Sequence, residues 1–208
     1  MGKLIAVVGV SGVGKTSLVH ALTRTGKFAV AYEQHAGRPF QALFKKEARY
    51  ALANQFDYLL FRAEQEKELR ASPKIGLVDG GLDLDFHGFT RLFHARGLLS
   101  DSEFDLCRRF YELMRRLLSL PDLIIRITAN EDIIRQRLAS RERINIASAE
   151  DTALFNSFLD GWLETVSPSG LLQLDVSTEP LTYDQCLPLI FAHAPMSIPG
   201  NTFLDHRI

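Results

Sequence analysis

The chain has 208 residues, of which 46% are hydrophobic and 24% are charged, and its net charge is −1. This composition is typical of one globular domain with a sizeable core, and it excludes a disordered or fibrous protein. Because the net charge is near zero and no apolar run approaches the length of a bilayer span, we expect one domain over residues 1–208 that has neither nucleic acid nor a membrane as a partner.

Five short apolar runs predict strands that are buried on both faces, as in a parallel sheet. They are Lys3–Val10, Phe28–Tyr32, Ile75–Asp79, Leu123–Thr128 and Leu171–Val176. Helical spacing predicts helices over Lys15–Thr25, twice within Phe40–Ala71, and over Asp101–Leu120, Glu131–Ala139 and Ser148–Thr165. Strands that alternate with helices indicate an α/β fold with a five-stranded parallel sheet flanked by helices. The tail from Ala194 is expected to be irregular.

The first predicted strand leads into a stretch from Gly9 to Thr16 that fits the phosphate-binding pattern G-x-x-x-x-G-K-[ST]. Glycines let backbone N–H groups converge on one anion, and the start of the following helix adds partial positive charge. Lys15 is predicted to reach the terminal phosphates and Thr16 to hold Mg²⁺. The predicted nucleotide-binding residues of this loop are Gly9, Ser11, Gly12, Val13, Gly14, Lys15, Thr16 and Ser17. The loop predicts a P-loop nucleoside triphosphate hydrolase fold that binds ATP and Mg²⁺.

A phosphate loop alone does not identify the reaction. The sequence has no N-K-x-D motif with which a GTPase would read guanine, and motor and transport ATPases usually have longer chains. A small kinase that acts on a metabolite fits the length best. A nucleoside monophosphate kinase and a non-catalytic ATP-binding regulator remain alternatives. The first of these would need further phosphate-binding arginines, for which Arg91 and Arg96 are candidates.

An arginine cluster follows the fourth predicted strand. Arg137 and Arg141 are four residues apart on one helix face, and Arg143 lies just beyond. Guanidinium groups stabilise the charge that develops in phosphoryl transfer, so we expect a lid over about residues 137–147 that closes over the nucleotide. In this interpretation Arg137 contacts the nucleotide, and Arg141 and Arg143 are catalytic. A solvated helix face with salt bridges to neighbouring acids is the alternative.

Cys107 and Cys186 are isolated in the sequence, without a C-x-x-C motif or metal-ligand spacing. We interpret them as reduced, structural residues. Because the N-terminus also lacks a signal-peptide pattern, a cytoplasmic location is expected.

Taken together, the motifs resemble the deoxynucleoside kinase family. Glu33 and Gln34 stand where that family has Glu-Pro, and the segment from Gln55 through Arg62 to Gln65 matches its Gln-x₆-Arg-x₂-Gln helix. The lid arginines have its spacing, and the resemblance covers roughly residues 1–176. It implies phosphoryl transfer from ATP to the 5′-hydroxyl of a deoxynucleoside or a related small-molecule acceptor. Members of this family commonly form homodimers, so a homodimer is also a hypothesis.

The resemblance implies a role for each residue on the acceptor side. Glu33 would accept the proton of the 5′-hydroxyl, because a carboxylate is suited to that step. Gln55 would read the edge of the base through its amide, and Arg62 with Asp85 would form a second base-reading pair. Phe89 would stack on the base, although its position is equally consistent with a core residue.

The sequence departs from the family where the third predicted strand ends. The family has Glu-Arg-Ser, whereas this chain has Asp79, Gly80 and Gly81. Asp79 keeps an acid that can bind Mg²⁺ directly or through water, so it is predicted to be catalytic. The arginine is lost, and Gly80 is expected to leave an open volume. Either the acceptor chemistry is altered or a neighbouring arginine supplies the charge. The candidates are Arg38, Arg91 and Arg96.

Overall fold

A computed structural model describes residues 1–32, 38–139, 149–180 and 182–195. Five strands form one sheet in the order β2-β3-β1-β4-β5, and every neighbouring pair is parallel. The strands are β1 Leu4–Val8, β2 Phe28–Ala31, β3 Ile75–Asp79, β4 Leu123–Thr128 and β5 Leu171–Asp175. Each lies within or coincides with a predicted strand, so the predicted α/β fold with a five-stranded parallel sheet is confirmed.

Helices connect the strands and cover the sheet. They are α1 Lys15–Thr23, α2 Pro39–Phe44, α3 Ala51–Ala71, α4 Leu82–Leu84, α5 Arg91–Ala95, α6 Asp101–Leu118, α7 Glu131–Ala139, α8 Ala149–Leu163 and α9 Cys186–His193. A π-helix over Asp85–Thr90 joins α4 to α5, and 3₁₀ turns cover Ala48–Tyr50 and Pro168–Gly170. The α4–α5 segment and α9 were not predicted. In the part of the chain that the structure describes, no helix combines the length and apolar character needed to cross a bilayer.

The central strand β1 is buried along its whole length, which explains its unbroken apolar sequence. It pairs with β3 in a register that sets Val7 beside Asp79, and the N–H of Gly80 donates to the carbonyl oxygen of Val7 at 3.0 Å. The carboxyl end of β1 leads directly into the P-loop. The register therefore brings Asp79 next to the P-loop, at the edge of the sheet where parallel α/β proteins bind their ligands.

A second apolar cluster packs α4 and the π-helix against α3 and α6. Its buried members include Leu59, Leu82, Phe86, Cys107 and Tyr111. This cluster holds the chain that follows β3 in place beside the end of the sheet.

Both cysteines are buried and free. Burial raises the pKa of Cys107 to about 11 and that of Cys186 to about 12. Both thiols therefore remain protonated at neutral pH, as expected of residues that only pack.

Candidate active site

The P-loop joins β1 to α1 and is shaped by its glycines. Gly14 immediately precedes α1 with a φ of 114°, in the left-handed region that favours glycine. A Cβ on Gly14 would collide with the hydroxyl of Tyr183, and a Cβ on Gly9 would lie 2.6 Å from the carbonyl oxygen of Ile127. Because side chains are excluded at both ends, the backbone forms this part of the site, as in other phosphate-binding loops.

Lys15 is the first residue of α1, and its side chain turns back over the loop. Nζ donates hydrogen bonds to the carbonyl oxygens of Gly9 at 2.9 Å and of Val10 at 3.1 Å. The ammonium group is thereby held against the loop, where the predicted role requires it. The remaining predicted residues of this segment lie in the loop or in the first turn of α1; they are Ser11, Gly12, Val13 and Ser17.

Thr16 and Asp79, the two residues predicted to hold Mg²⁺, are in contact. The Thr16 hydroxyl donates to Oδ2 of Asp79 at 2.6 Å, and Asp79 is only 1% exposed. The other carboxylate oxygen, Oδ1, is buried and has no hydrogen-bond partner among the described residues. Mg²⁺ is commonly bound by one or two carboxylates and several waters. A buried carboxylate oxygen without a partner, next to a hydroxyl, fits such a cation.

The structure places Arg137 of α7 at the P-loop. Its Nη1 donates to the carbonyl oxygen of Val13 at 2.6 Å. A Cβ on Gly12 would lie 2.7 Å from Cγ of Leu138, so α7 packs directly on the loop. This contact shows that Arg137 does not belong to a purely solvated helix face. The lid residues Arg141 and Arg143, and the predicted base Glu33, lie outside the described residues.

Two residues predicted on the acceptor side, Gln55 and Arg62, contact a third, Asp85. Arg62 Nε donates to Asp85 Oδ2 at 2.6 Å, and both side chains are almost completely buried. Gln55 Nε2 donates to the carbonyl oxygen of Asp85 at 3.2 Å, and the Thr90 hydroxyl donates to the same oxygen at 3.0 Å. Asp85 begins the π-helix, a conformation that is often found at functional sites.

Phe89 lies at the margin of the main core. It is half-buried, and its ring meets that of Phe155 edge to face with 4.9 Å between the centroids. This contact fits the alternative interpretation, in which Phe89 is a core residue. Stacking of Phe89 on a base stays a prediction.

The expected open volume beside Gly80 is filled, which corrects that expectation. A Cβ on Gly80 would lie 3.1 Å from Cδ2 of Leu84 and 3.5 Å from Nη2 of Arg62. The guanidinium group next to this turn is thus that of Arg62, which the sequence did not suggest for this position. Of the three candidate replacements, Arg38 pairs with Asp57 at 2.9 Å and Arg96 pairs with Asp151. Arg91 is half-buried in α5.

Sequence reasoning missed a buried charged network behind the Gly80–Gly81 turn. Glu66 of α3 accepts from Arg115 Nη2 at 2.7 Å, and Tyr111 donates to Asp83 Oδ1 at 2.7 Å. Burial raises the pKa of Glu66. Burial alone would lower the pKa of Arg115, but the charges of Asp83 and Glu66 raise it above its ordinary value. A local sequence signal for this network is lacking, because its members come from three separate segments.

His87 extends the network toward α8. Its Nε2 lies 3.0 Å from the Tyr111 hydroxyl, and its ring stacks on Trp162 with 4.9 Å between centroids. Since the Tyr111 proton is donated to Asp83, Nε2 of His87 must be the donor in their contact. Burial, followed by the charges of Arg91 and Arg115, lowers the pKa of His87 to about 3. The imidazole is therefore neutral at physiological pH.

Tyr183 is a second residue that sequence reasoning missed. It lies between β5 and α9, is 1% exposed, and its hydroxyl donates to the carbonyl oxygen of Gly14 at 3.1 Å. This hydrogen bond connects the chain that follows the last strand to the start of α1. The two partners are 169 residues apart, so no local pattern could have indicated the contact.

The sequence and the fold are both similar to those of known proteins. The family model described as "Deoxynucleoside kinase" matches residues 5–185. The deoxyadenosine kinase of Dictyostelium discoideum is 24% identical over 143 residues. That match covers 68% of this chain but only 58% of the relative, so the chain spans little more than half of the curated protein that it matches.

Solved structures of the deoxyadenosine kinase of M. mycoides share the fold. The structure with the products dCMP and dCDP has a TM-score of 0.75 and 16% identity, and covers 91% of this chain and 99% of that one. The structure with dCTP gives 0.73 at 15% identity, with coverage of 91% and 99%. The structure with dATP gives 0.73 at 17% identity, with coverage of 90% and 99%. The predicted P-loop nucleoside triphosphate hydrolase fold is thereby confirmed.

Proposed function

The chain belongs to the deoxynucleoside kinase family, a family of phosphotransferases, and from that premise we propose that it transfers the γ-phosphoryl group of ATP to the 5′-hydroxyl of a deoxynucleoside or a related small acceptor. One observation carries this proposal. Asp79 accepts a hydrogen bond from Thr16 beside the P-loop, and Asp85, six residues further along the chain, pairs with the guanidinium of Arg62. This proximity supports a donor site and an acceptor site that are joined by one short segment.

On the donor side, the loop backbone and Lys15 bind the phosphates, and Arg137 approaches the nucleotide from α7. Mg²⁺, held by Thr16 and Asp79, would neutralise charge on the phosphate oxygens. The buried oxygen Oδ1 of Asp79 supports this assignment, since a carboxylate that is cut off from water gains most from a cation.

On the acceptor side, Gln55 and the pair of Arg62 and Asp85 would recognise the base. A site that hydrogen-bonds the base through polar side chains discriminates strongly between ligands, because an unsuitable ligand leaves those side chains without a partner. Glu33 would take the proton of the attacking hydroxyl, and Arg141 and Arg143 would stabilise the transition state. Deoxynucleotides bound to the M. mycoides relative support an acceptor of this class.

The proposal is tested by measuring ADP formation from Mg-ATP with deoxynucleosides, ribonucleosides and their monophosphates as acceptors. We expect turnover with at least one deoxynucleoside and none in the Lys15→Ala variant. Turnover with monophosphates alone would identify a monophosphate kinase instead. Tight Mg-ATP binding without turnover on any acceptor would identify a nucleotide-binding regulator.

We also propose that two copies associate through α3 and α6. Leu60, Leu106, Leu113 and Leu117 are all more than two-fifths exposed on these helices. Two of these leucines belong to a groove of about 350 Å³, which is lined by Phe56, Leu106, Arg109, Phe110, Glu112, Leu113 and Arg116. Charges of both signs at its rim let the surface pair with a second copy of itself, as a two-fold interface requires.

Light scattering after size-exclusion chromatography tests the dimer. We expect twice the 23.4 kDa mass of one chain for the wild type. Leu113→Asp should shift the protein to one chain, whereas Leu189→Asp, at an exposed leucine of α9, should not. A wild-type protein that stays at the mass of one chain at high concentration would refute the dimer.

We also propose a cytoplasmic location. Two buried cysteines that form no disulfide are typical of a reducing compartment.

A further inference from the structure

The turn after Asp79 has no side chain of its own to hold it in place. Gly80 and Gly81 have φ values of 88° and 90°, and Gly81 directly precedes the helical segment 82–95. A helix begins with N–H groups that need acceptors, and the residue at this position usually supplies one from its side chain. Gly81 cannot do so.

Glu66 of α3 supplies the missing acceptor. Its Oε1 accepts from the N–H of Leu82 at 3.3 Å and lies 3.7 Å from the point where a Cβ on Gly81 would stand. Glu66 is 1% exposed, so water does not compete for this contact. A carboxylate at the N-terminus of a helix is also electrostatically favourable.

Arg115 of α6 holds Glu66 in this position. Its Nη2 donates to Glu66 Oε1 at 2.7 Å, and its Nε lies 3.2 Å from Oδ1 of Asp83. One guanidinium thus contacts the carboxylate that caps Leu82 and the side chain of the next residue. The contact is buried on both sides, since Arg115 is 10% exposed and Asp83 is 1% exposed.

Helix α3 therefore holds the segment after β3 at two points. Arg62 binds Asp85, and Glu66, one helical turn further along the same face, binds Leu82. We propose that Glu66 is a positioning residue, which fixes the Gly80–Gly81 turn and thereby the spacing between Asp79 at the P-loop and Asp85 at the acceptor site. The inference rests on the proposed function, because that function assigns Asp79 and Asp85 to the two substrates.

Two conservative variants distinguish a role of Glu66 in holding the turn from a role of its charge alone. Glu66→Gln keeps the length and an oxygen acceptor but loses the charge, whereas Glu66→Asp keeps the charge but withdraws the oxygen by one methylene. If Glu66 positions the turn, Glu66→Gln should remain close to wild type. Glu66→Asp should lower kcat/KM for the acceptor by about 10 to 100-fold, because small displacements of reacting groups are costly, with little change in the KM for ATP.

The same substitutions at Glu68, which is exposed on α3, are the matched controls. Hydrogen exchange of peptides that cover residues 80–86 gives a second measurement that needs no turnover. We expect faster exchange there in Glu66→Asp but not in Glu66→Gln or in either Glu68 variant. Peptides from β1 should be unchanged in all four.

The opposite ranking, with Glu66→Gln impaired and Glu66→Asp intact, would show that the charge and not the cap matters, and would overturn the proposal. Equal behaviour of the two variants in the exchange measurement would overturn it as well. If the wild type phosphorylates no acceptor, the proposed function fails, but the exchange comparison still decides whether Glu66 fixes the turn.

Discussion

Thr16 and Asp79 are 63 residues apart in the chain, yet the Thr16 hydroxyl donates to the Asp79 carboxylate at 2.6 Å. The contact joins the first turn of α1 to the last residue of β3, and it occupies only one of the two carboxylate oxygens. The second oxygen is buried and has no hydrogen-bond partner among the described residues, so a bound cation would stabilise it.

Asp79→Asn tests this interpretation. The amide keeps the size of the side chain and an acceptor for Thr16 but carries no charge, so we expect the Mg²⁺ concentration for half-maximal turnover to rise by about 10 to 100-fold. A magnesium titration of the ADP-forming activity measures it. Asp184→Asn, at an exposed position, is the control. An unchanged titration would exclude Asp79 from the metal site.

Lys15→Ala removes the ammonium group that bridges Gly9 and Val10. We expect a sharp loss of Mg-ATP affinity and of turnover, because no other side chain is predicted to reach the terminal phosphates from the loop. Calorimetric titration with Mg-ATP is the measurement, and Lys46→Ala, at an exposed lysine, should bind like the wild type. A folded Lys15→Ala protein with undiminished affinity would contradict the P-loop assignment.

Removal of one partner of the buried pair of Arg62 and Asp85 should lower the stability of the protein strongly. Arg62→Met or Asp85→Asn leaves one buried charge without the opposite charge of this pair, so each should cost about 3 to 5 kcal/mol. The double variant should cost less than the sum of the two. Urea unfolding measures all three. The exposed pair of Arg135 and Asp132 gives the comparison, with an expected cost of about 0 to 1 kcal/mol. Additive costs would show that the two residues do not act together.

His87 should make stability depend on pH in mildly acidic solution. Its pKa is about 3 in the folded protein against 6.5 for an ordinary histidine, so between these values the unfolded chain binds a proton that the folded chain does not. The contribution of His87 to the free energy of unfolding therefore rises with pH by up to about 1.4 kcal/mol per pH unit. This contribution is fully present above pH 6.5 and is lost as the pH falls toward 3.

His87→Phe keeps a ring to stack on Trp162 and should flatten this dependence. Trp162 is the single tryptophan, so its fluorescence can follow urea unfolding at pH 5 and pH 7. We expect a smaller difference between the two pH values in the variant than in the wild type. The same difference in both proteins would assign the pH dependence to other groups.

Tyr183→Phe deletes the hydroxyl that donates to Gly14. The carbonyl oxygen of Gly14 also accepts from the N–H of Leu18 at 3.0 Å, so the loss of stability should stay near 0.5 to 1.5 kcal/mol. ATP affinity should fall by less than about tenfold, since the same free energy sets the limit. Thermal unfolding and calorimetry measure the two effects, with Tyr50→Phe as the control. Full ATP affinity in Tyr183→Phe would mean that the contact serves the fold alone.

The parts of the fold that follow from local pattern could be predicted. The buried strand Leu4–Val8 is apolar throughout, and the P-loop needs its glycines and Lys15 in consecutive positions. Helix α9 could not be recognised, because its apolar residues leave no polar face and Pro188 stands in its first turn. The segment 82–95 was also missed. Its π-helix shifts the phase of the side chains, so a search with a period of 3.6 residues does not register it.

The residues of the candidate site also differ in whether a local sequence pattern can indicate them. A local motif predicts the residues of the loop, whereas contacts between distant segments, such as those of Glu66 and Tyr183, have no local signature. Gly80 illustrates the limit. The resemblance to the family indicates a missing arginine, but only the fold shows that Arg62 of α3 lies beside position 80. An arginine at position 80 would have a φ of 88° and a like charge next to it, so we expect that it would not adopt the position of the family's arginine.

The π-helix between Asp85 and Thr90 also affects how many residues this segment can contain. An α-helix turns by about 100° per residue, whereas a π-helix, whose hydrogen bonds join residues five apart, needs about one more residue to complete a turn. A segment that lost one residue here could therefore wind as an ordinary α-helix and leave the residues after it in nearly the same orientation. Leu92 and Phe93, both 3% exposed, would then keep their buried faces. We expect the deletion of one residue between Asp85 and Thr90 to damage the fold less than a deletion in the middle of α3, so natural variants of this protein should be able to differ here by one residue in length.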